Sequence, residues 1–139
     1  MGAKLAVVLI STYELGRQPF GLASPAAWLE RAGANVACLD LAVHSLDEAV
    51  ISTADLIAIY VPMHTATRLA LPLTGRIKQL NPNAHLCFYG LYAPINSDYL
   101  RSLGAETILG GEFEAGLTKL AERLASRGAI QQGESPPRG

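Results

Sequence analysis

Four stretches of this 139-residue chain gather the side chains that could do chemistry. The first is Ser11-Thr12-Tyr13-Glu14-Leu15-Gly16-Arg17-Gln18-Pro19-Phe20-Gly21. It is too long and too punctuated by Gly and Pro to be a minimal turn, and loops of this kind usually carry function. The second, Val61-Pro62-Met63-His64-Thr65-Ala66-Thr67, sets one imidazole and two small hydroxyls at the opening of a helix. Free N–H groups there suit an anion or the polar edge of a cofactor. The third and fourth, Tyr89-Gly90-Leu91-Tyr92-Ala93-Pro94 and Gly110-Gly111-Glu112-Phe113-Glu114, place glycines where a ligand has to come close. Plainer roles compete at each position. Thr65 serves as an N-cap, His64 satisfies a loop carbonyl, and Glu112 and Glu114 complement a helix dipole.

The elements that hold these stretches follow from hydrophobic patterning. Lys4 to Ile10 is a continuous aliphatic run rich in β-branched residues, the pattern of a strand buried on both faces of a parallel sheet. Similar runs recur at Val36 to Leu41, Leu56 to Val61, His85 to Tyr89 and Thr107 to Leu109. Helical patterns separate them: Ala23 to Ala32 with Trp28 and Leu29 inward, Leu46 to Ser52, Thr65 to Leu80 kinked at Pro72, and Asn96 to Leu103 capped by Asn96 or Ser97 and stopped at Gly104. The last, Phe113 to Arg127, buries Leu117, Leu120 and Leu124 and carries acids early and bases late. Strict β-α alternation predicts an α/β fold: a doubly wound, five-stranded parallel sheet of flavodoxin-like order 2-1-3-4-5, a Rossmann-like three-layer sandwich. Its ligand surface then lies at the carboxyl ends of the strands, where all four stretches fall. Residues 1–128 form the domain, and 129–139 read as a flexible tail or linker stub.

Composition narrows the function classes. A net charge of -1, with acids and bases interspersed, provides no basic stripe for nucleic acid and no cationic face for a membrane. No segment approaches the roughly 20 apolar residues of a membrane-spanning helix. Cys38 and Cys87 each sit in an apolar run as small buried hydrophobes, so a reducing, cytoplasmic setting is expected. The first loop lacks Gly-x-Gly-x-x-Gly, which disfavours a dinucleotide, and lacks the Ser/Thr-rich phosphate loop of a flavodoxin. No cluster of early acids with a late lysine marks a phospho-receiver domain.

Pro19-Phe20-Gly21-Leu22-Ala23, Ala32-Gly33-Ala34-Asn35-Val36, Asp40 and Gly110-Gly111-Glu112-Phe113-Glu114 fall in an order and spacing that carry a resemblance. Up to about Leu124 the chain resembles the N-terminal cobalamin (vitamin B12)-binding domain of B12-dependent radical SAM proteins, and more finely the CUAEP/CCAEP-tail subgroup. Those domains show a Pro-x-Gly-Leu start, an Ala-Gly-His-Glu-Val turn and a Gly-Glu-x-Glu close. The resemblance implies a corrin lying across the strand ends, contacted by Ser11, Thr12, Tyr13, Gly16, Met63, His64, Thr65, Thr67, Gly90, Leu91, Gly110, Gly111 and Glu112. The other large cobalamin class supplies a cobalt-binding histidine through Asp-x-His-x-x-Gly. Here Ser11 and Tyr13 stand at its Asp and His positions before Gly16, leaving His64 as the residual metal ligand. No Cys-x-x-x-Cys-x-x-Cys is present, so there is no iron–sulfur or SAM site and no complete active site in this chain. The implied partner is a radical SAM catalytic domain in the parent or a partner chain. Two other readings stand beside this one. A degenerate interaction module that has lost its cofactor would dock through Tyr89 to Pro94, and a small hydrolase or transferase would use His64 with Glu14 or Glu112.

Overall fold

The computed structural model describes residues 4–11, 20–41, 45–61 and 64–131, with 20–21, 64–71 and 128–131 described through their backbone alone. Five strands, β1 (Ala6–Ser11), β2 (Asn35–Asp40), β3 (Leu56–Tyr60), β4 (His85–Tyr89) and β5 (Thr107–Leu109), form one parallel sheet of order β2-β1-β3-β4-β5. The expected doubly wound order is borne out. The intervening helices are α1 (Phe20–Arg31), α2 (Glu48–Ser52), α3 (His64–Leu80), α4 (Ser97–Ser102) and α5 (Phe113–Gln131), with a 3₁₀ turn at Pro94–Asn96 ahead of α4.

The sheet is central because its three inner strands are apolar on both faces. Val8, Ile10, Ile57, Ile59, Leu86 and Phe88 face one cluster, completed by Ile51 of α2 and Leu73 and Ile77 of α3. Val7, Leu9, Leu56, Ala58 and Cys87 face the other, completed by Leu22 and Leu29 of α1 and Leu117 and Leu120 of α5. Removing this continuous aliphatic surface from water, at roughly 25 cal/mol per Å², is the main force holding the layers together. The edge strands β2 and β5 are only half covered.

Two residues depart from expectation. Cys87 is buried in β4 as predicted, but Cys38 is exposed, because β2 has a neighbour on one side only. Trp28 turns outward at 41% exposure and stacks under the Arg31 guanidinium, 5.7 Å from its ring centre, while Leu29 alone faces the core. The covered stripe of α1 is narrow and filled by Leu22, Ala26 and Leu29, leaving no room for an indole. α3 runs through Pro72 unbroken, its ring on the exposed side. Gly104 stops α4 with a φ of 106°, as expected. Helix α5 continues to Gln131, past Gly128, and the rest of the proposed tail lies outside the described residues. Among the described residues no helix is long and apolar enough to cross a membrane.

The junction after α3 is fastened by one polar side chain. Buried Asn81 donates from Nδ2 to the carbonyls of Ile51 (2.9 Å) and Ala54 (2.8 Å), and its Oδ1 accepts from the N–H of Asn83 and Ala84. It ties the end of α2, the end of α3 and the entry to β4 together. Asn81→Ala strands these backbone groups in a dry site, and we expect a loss of about 3 kcal/mol. Urea denaturation checks this, and an unchanged midpoint would count against the role.

Candidate functional site

Parallel registry aligns the last residues of the strands in one row across the carboxyl edge: Asp40, Ser11, Tyr60, Tyr89 and Leu109. Residues in register point to the same face of a sheet, so this row lies on the side covered by α1 and α5. Ser11 is fully buried, and its Oγ has no hydrogen-bond partner among the described residues. Tyr89 is fully buried and Tyr60 half-buried. Phe113, the first residue of α5, closes over both rings, with centres at 4.8 Å from Tyr89 and 5.9 Å from Tyr60; the two tyrosines are 5.3 Å apart. Tilted and edge-on contacts of this kind contribute about 1 kcal/mol each beyond area burial. Beside the rings Ser24 Oγ donates to Glu114 Oε2 at 2.8 Å, joining α1 to α5.

This aromatic stack stands in the crevice where open α/β sheets usually take ligands. Burial is the main reason the Tyr89 phenol is pushed well above its usual range, with Cys38, Cys87, Tyr60 and Glu114 adding to the effect. Burial likewise pushes the Cys87 thiol up. Of the five residues in the row, Asp40 at its outer end alone carries a carboxyl group. Phosphoryl transfer to a carboxylate requires the acceptor acid together with oxygen ligands for a divalent cation. The described ends of β1, β3 and β4 offer a hydroxyl and two phenols instead, and β5 leads into Gly110-Gly111 with no lysine. Among the described residues no group of three or more His, Cys, Asp or Glu is placed to hold a metal.

The residues named from sequence are distributed unevenly around this crevice. Ser11 is in the row; Thr12, Tyr13, Gly16 and Met63 lie outside the described residues. His64, Thr65 and Thr67 occupy the first two turns of α3, described by backbone alone, so the pairing of His64 with Glu14 or Glu112 has no described geometry. Gly90 follows β4 with a φ of 124°, and a Cβ there would sit 2.6 Å from the Val61 carbonyl oxygen. Its space is taken by neighbouring backbone. Leu91 is exposed, Gly110 lies against Pro94, and Gly111 and Glu112 face open space at the start of α5. Tyr89 is named from sequence only as part of the Tyr89 to Pro94 loop, and its stacking with Tyr60, inside the Leu56 to Val61 run, has no local sequence signal.

No family model matches the chain, and no curated protein matches it in sequence. Solved structures do match in fold. A CheY-like response regulator receiver domain protein from Methanospirillum hungatei is 19% identical with a TM-score of 0.59, over 91% of this chain and 99% of that one. A pilus assembly protein from Burkholderia thailandensis is 18% identical with a TM-score of 0.54, over 88% and 99%. The RcsB response regulator of Salmonella typhimurium is 18% identical with a TM-score of 0.52, over 95% of this chain and 64% of that one. These likenesses establish a shared flavodoxin-like fold.

They also correct the resemblance to the cobalamin-binding domain of radical SAM proteins and its CUAEP/CCAEP-tail subgroup. The neighbours are receiver-type domains and a pilus assembly protein, none of them a B12-binding domain. The role of corrin holder falls with that resemblance, as does the rival of a cobalamin-type domain that lost its cofactor. At the described strand ends Tyr60, Tyr89 and Phe113 pack against one another, and Gly90 answers to backbone crowding by Val61.

Raised values at Cys38, Cys87 and Tyr89 and a lowered one at His85, each caused first by burial, set a pH dependence. Below the unfolded thiol and phenol values, about 8.5 and about 10, Cys87 and Tyr89 are neutral in both states and add no pH slope. As pH rises through those values the unfolded chain releases protons that the folded chain retains, so stability falls. Urea midpoints are expected to rise as pH climbs through about 6.5, where the unfolded chain still takes up the proton that burial keeps off His85, to level near pH 8 and to drop above it. Cys87→Ala should flatten the first part of the drop. A midpoint that climbs above about pH 9 would contradict the burial of both groups.

Proposed function

We propose that the chain is a receiver-like module in which protein docking replaces phosphoryl transfer. The observation that carries the reading is the aromatic stack of Tyr60, Tyr89 and Phe113 at the strand ends. Where early acids and a late lysine would mark a phospho-receiver, the corresponding strand ends hold Ser11 and Gly110-Gly111. Near-complete overlap with a receiver domain protein, 91% of one chain and 99% of the other, supports the module's extent.

Docking finds its surface beside this crevice. Leu91, Ile95 and Tyr99 recur at intervals of four along the β4–α4 connection and α4, at 67%, 76% and 40% exposure. Pro94 is exposed among them, Tyr92 is half-buried against the core, and Tyr89 is buried, so the surface lies further along the chain than the expected Tyr89 to Pro94 loop. Large apolar side chains gathered in one exposed place mark a protein contact. Asp98 and Arg101 flank the patch with opposite charges, which suits a protein of mixed charge better than a phosphate backbone.

Incubation with acetyl phosphate and Mg²⁺ should leave the intact mass unchanged, and a hydroxylamine-labile phosphoryl adduct would overturn the reading. Separately, Ile95→Asp should keep the circular dichroism spectrum and thermal midpoint while losing proteins that the wild-type chain captures from a lysate. Equal capture by both would remove the surface assignment.

A further inference from the structure

We propose that His85, Glu106 and Thr107 form a latch holding β5 to β4 at the amino edge of the sheet, and that uptake of one proton by His85 opens it while the inner strands stay folded. β5 has three residues, the short limit of a strand, so its own ladder holds it weakly. Side chains add to that hold. His85 Nε2 lies 2.7 Å from Thr107 Oγ1. Glu106, the residue before β5, accepts the Leu86 N–H at Oε1 (3.2 Å) and places Oε2 3.6 Å from His85 Nδ1. Its own N–H donates to the Leu86 carbonyl at 2.8 Å. A carboxylate facing Nδ1 favours the Nδ1–H tautomer, which leaves Nε2 to accept the Thr107 hydroxyl proton.

The ring is badly placed to become a cation. Its side chain is 14% exposed, and its parity with Cys87 turns it to the side covered by α5. Arg123 and Arg127 of α5 and Lys78 of α3 act on it, against the carboxylate of Glu106 alone. Lys78 reaches over the turn between α4 and β5, where a Cβ on Gly104 would sit 3.3 Å from Nζ. Asp55, just before β3, gives its carbonyl to the His85 N–H, but its carboxylate is turned to the Ala6 N–H at 2.8 Å. Burial first, and then the three cations, hold the imidazole below its ordinary value, with Glu106 opposing them. Once β5 lifts away, water reaches the ring and its pKa returns toward about 6.5. Below that value the open form binds a proton that the closed form refuses, so opening becomes easier as pH falls, by at most about ten-fold per pH unit for one proton. The far end of β5 feels the release: Leu109 accepts the Gly90 N–H and packs on Gly116, and Gly110 lies against Pro94.

Hydrogen exchange of the full chain, followed by NMR amide by amide and corrected for intrinsic rates, tests the latch. The Glu106 and Gly90 amides should exchange with little dependence on dilute urea, the mark of a local opening. Leu9 and Ile57, in the inner strands, should show the steep dependence of global unfolding. Between about pH 6.5 and about pH 5, exchange at Glu106 and Gly90 should quicken on the order of 10-fold. His85→Gln keeps a polar partner for Thr107 and cannot take up the proton, so the acid effect should vanish. Arg123→Gln combined with Arg127→Gln changes two exposed residues and should cut the effect about two-fold, which keeps the test open if the β4 variant misfolds. A urea dependence equal to that of Leu9 and Ile57, exchange indifferent to pH, or an acid effect that survives intact in a folded variant would each overturn the proposal.

Discussion

Registry across the parallel sheet is the constraint on which the rest depends. Because β1, β3 and β4 are apolar on both faces, none can slip by one residue without carrying a whole set of side chains to the wrong cluster. Once Leu9, Ala58 and Cys87 are aligned, the positions two residues further on are aligned as well: Ser11, Tyr60 and Tyr89. The carboxyl edge is therefore built by the core, and its chemistry is whatever the sequence happens to put at those positions. Here that is a hydroxyl and two phenols, roofed by Phe113.

The same registry explains how a flavodoxin-like fold can carry aromatic rings at its strand ends. A carboxylate cluster at strand ends is a cost to the folded state, since like charges held close repel and must be desolvated. An aromatic stack in that place contributes to stability, and nothing in the sheet below has to change. Tyr89 shows the exchange most directly: its ring joins the α1/α5 cluster as a core residue while its position belongs to the row of strand ends. On the proposed reading, the residues at this edge and those on the outer surface of α4 are separate, so either set can change without the other on the same scaffold.

Much of the fold was legible because its signals are local and repeated. β4 and β5 begin and end where their aliphatic runs do, and Gly104 ends α4 in the left-handed conformation read from sequence. Misplacements occur where a neighbour decides. Trp28 was assigned inward by helical spacing, but the width of the stripe beneath α1 is set by Ala26 and by the partner helix α5. Cys38 was assigned to the interior by its apolar run, but which strand becomes an edge is a property of topology. The candidate site was legible as a location and not as chemistry. Gly33, Gly110 and Gly111 carried the resemblance to a cofactor domain. Gly33, at a φ of 98°, ends α1, and the other two introduce α5. Such punctuation recurs in any doubly wound domain, so it reports fold and is silent on ligand.

The two edges of the sheet show how little the core dictates beyond its own packing. β5 is short, lies beside Pro94 through Gly110 and is followed at once by α5. β2 is twice as long and flanked by a helix of five residues. Both satisfy the inner strands equally well, because each supplies only one neighbour. Selection on folding alone would not distinguish a bare edge from a guarded one, yet a bare edge carries the hazard of uncontrolled pairing.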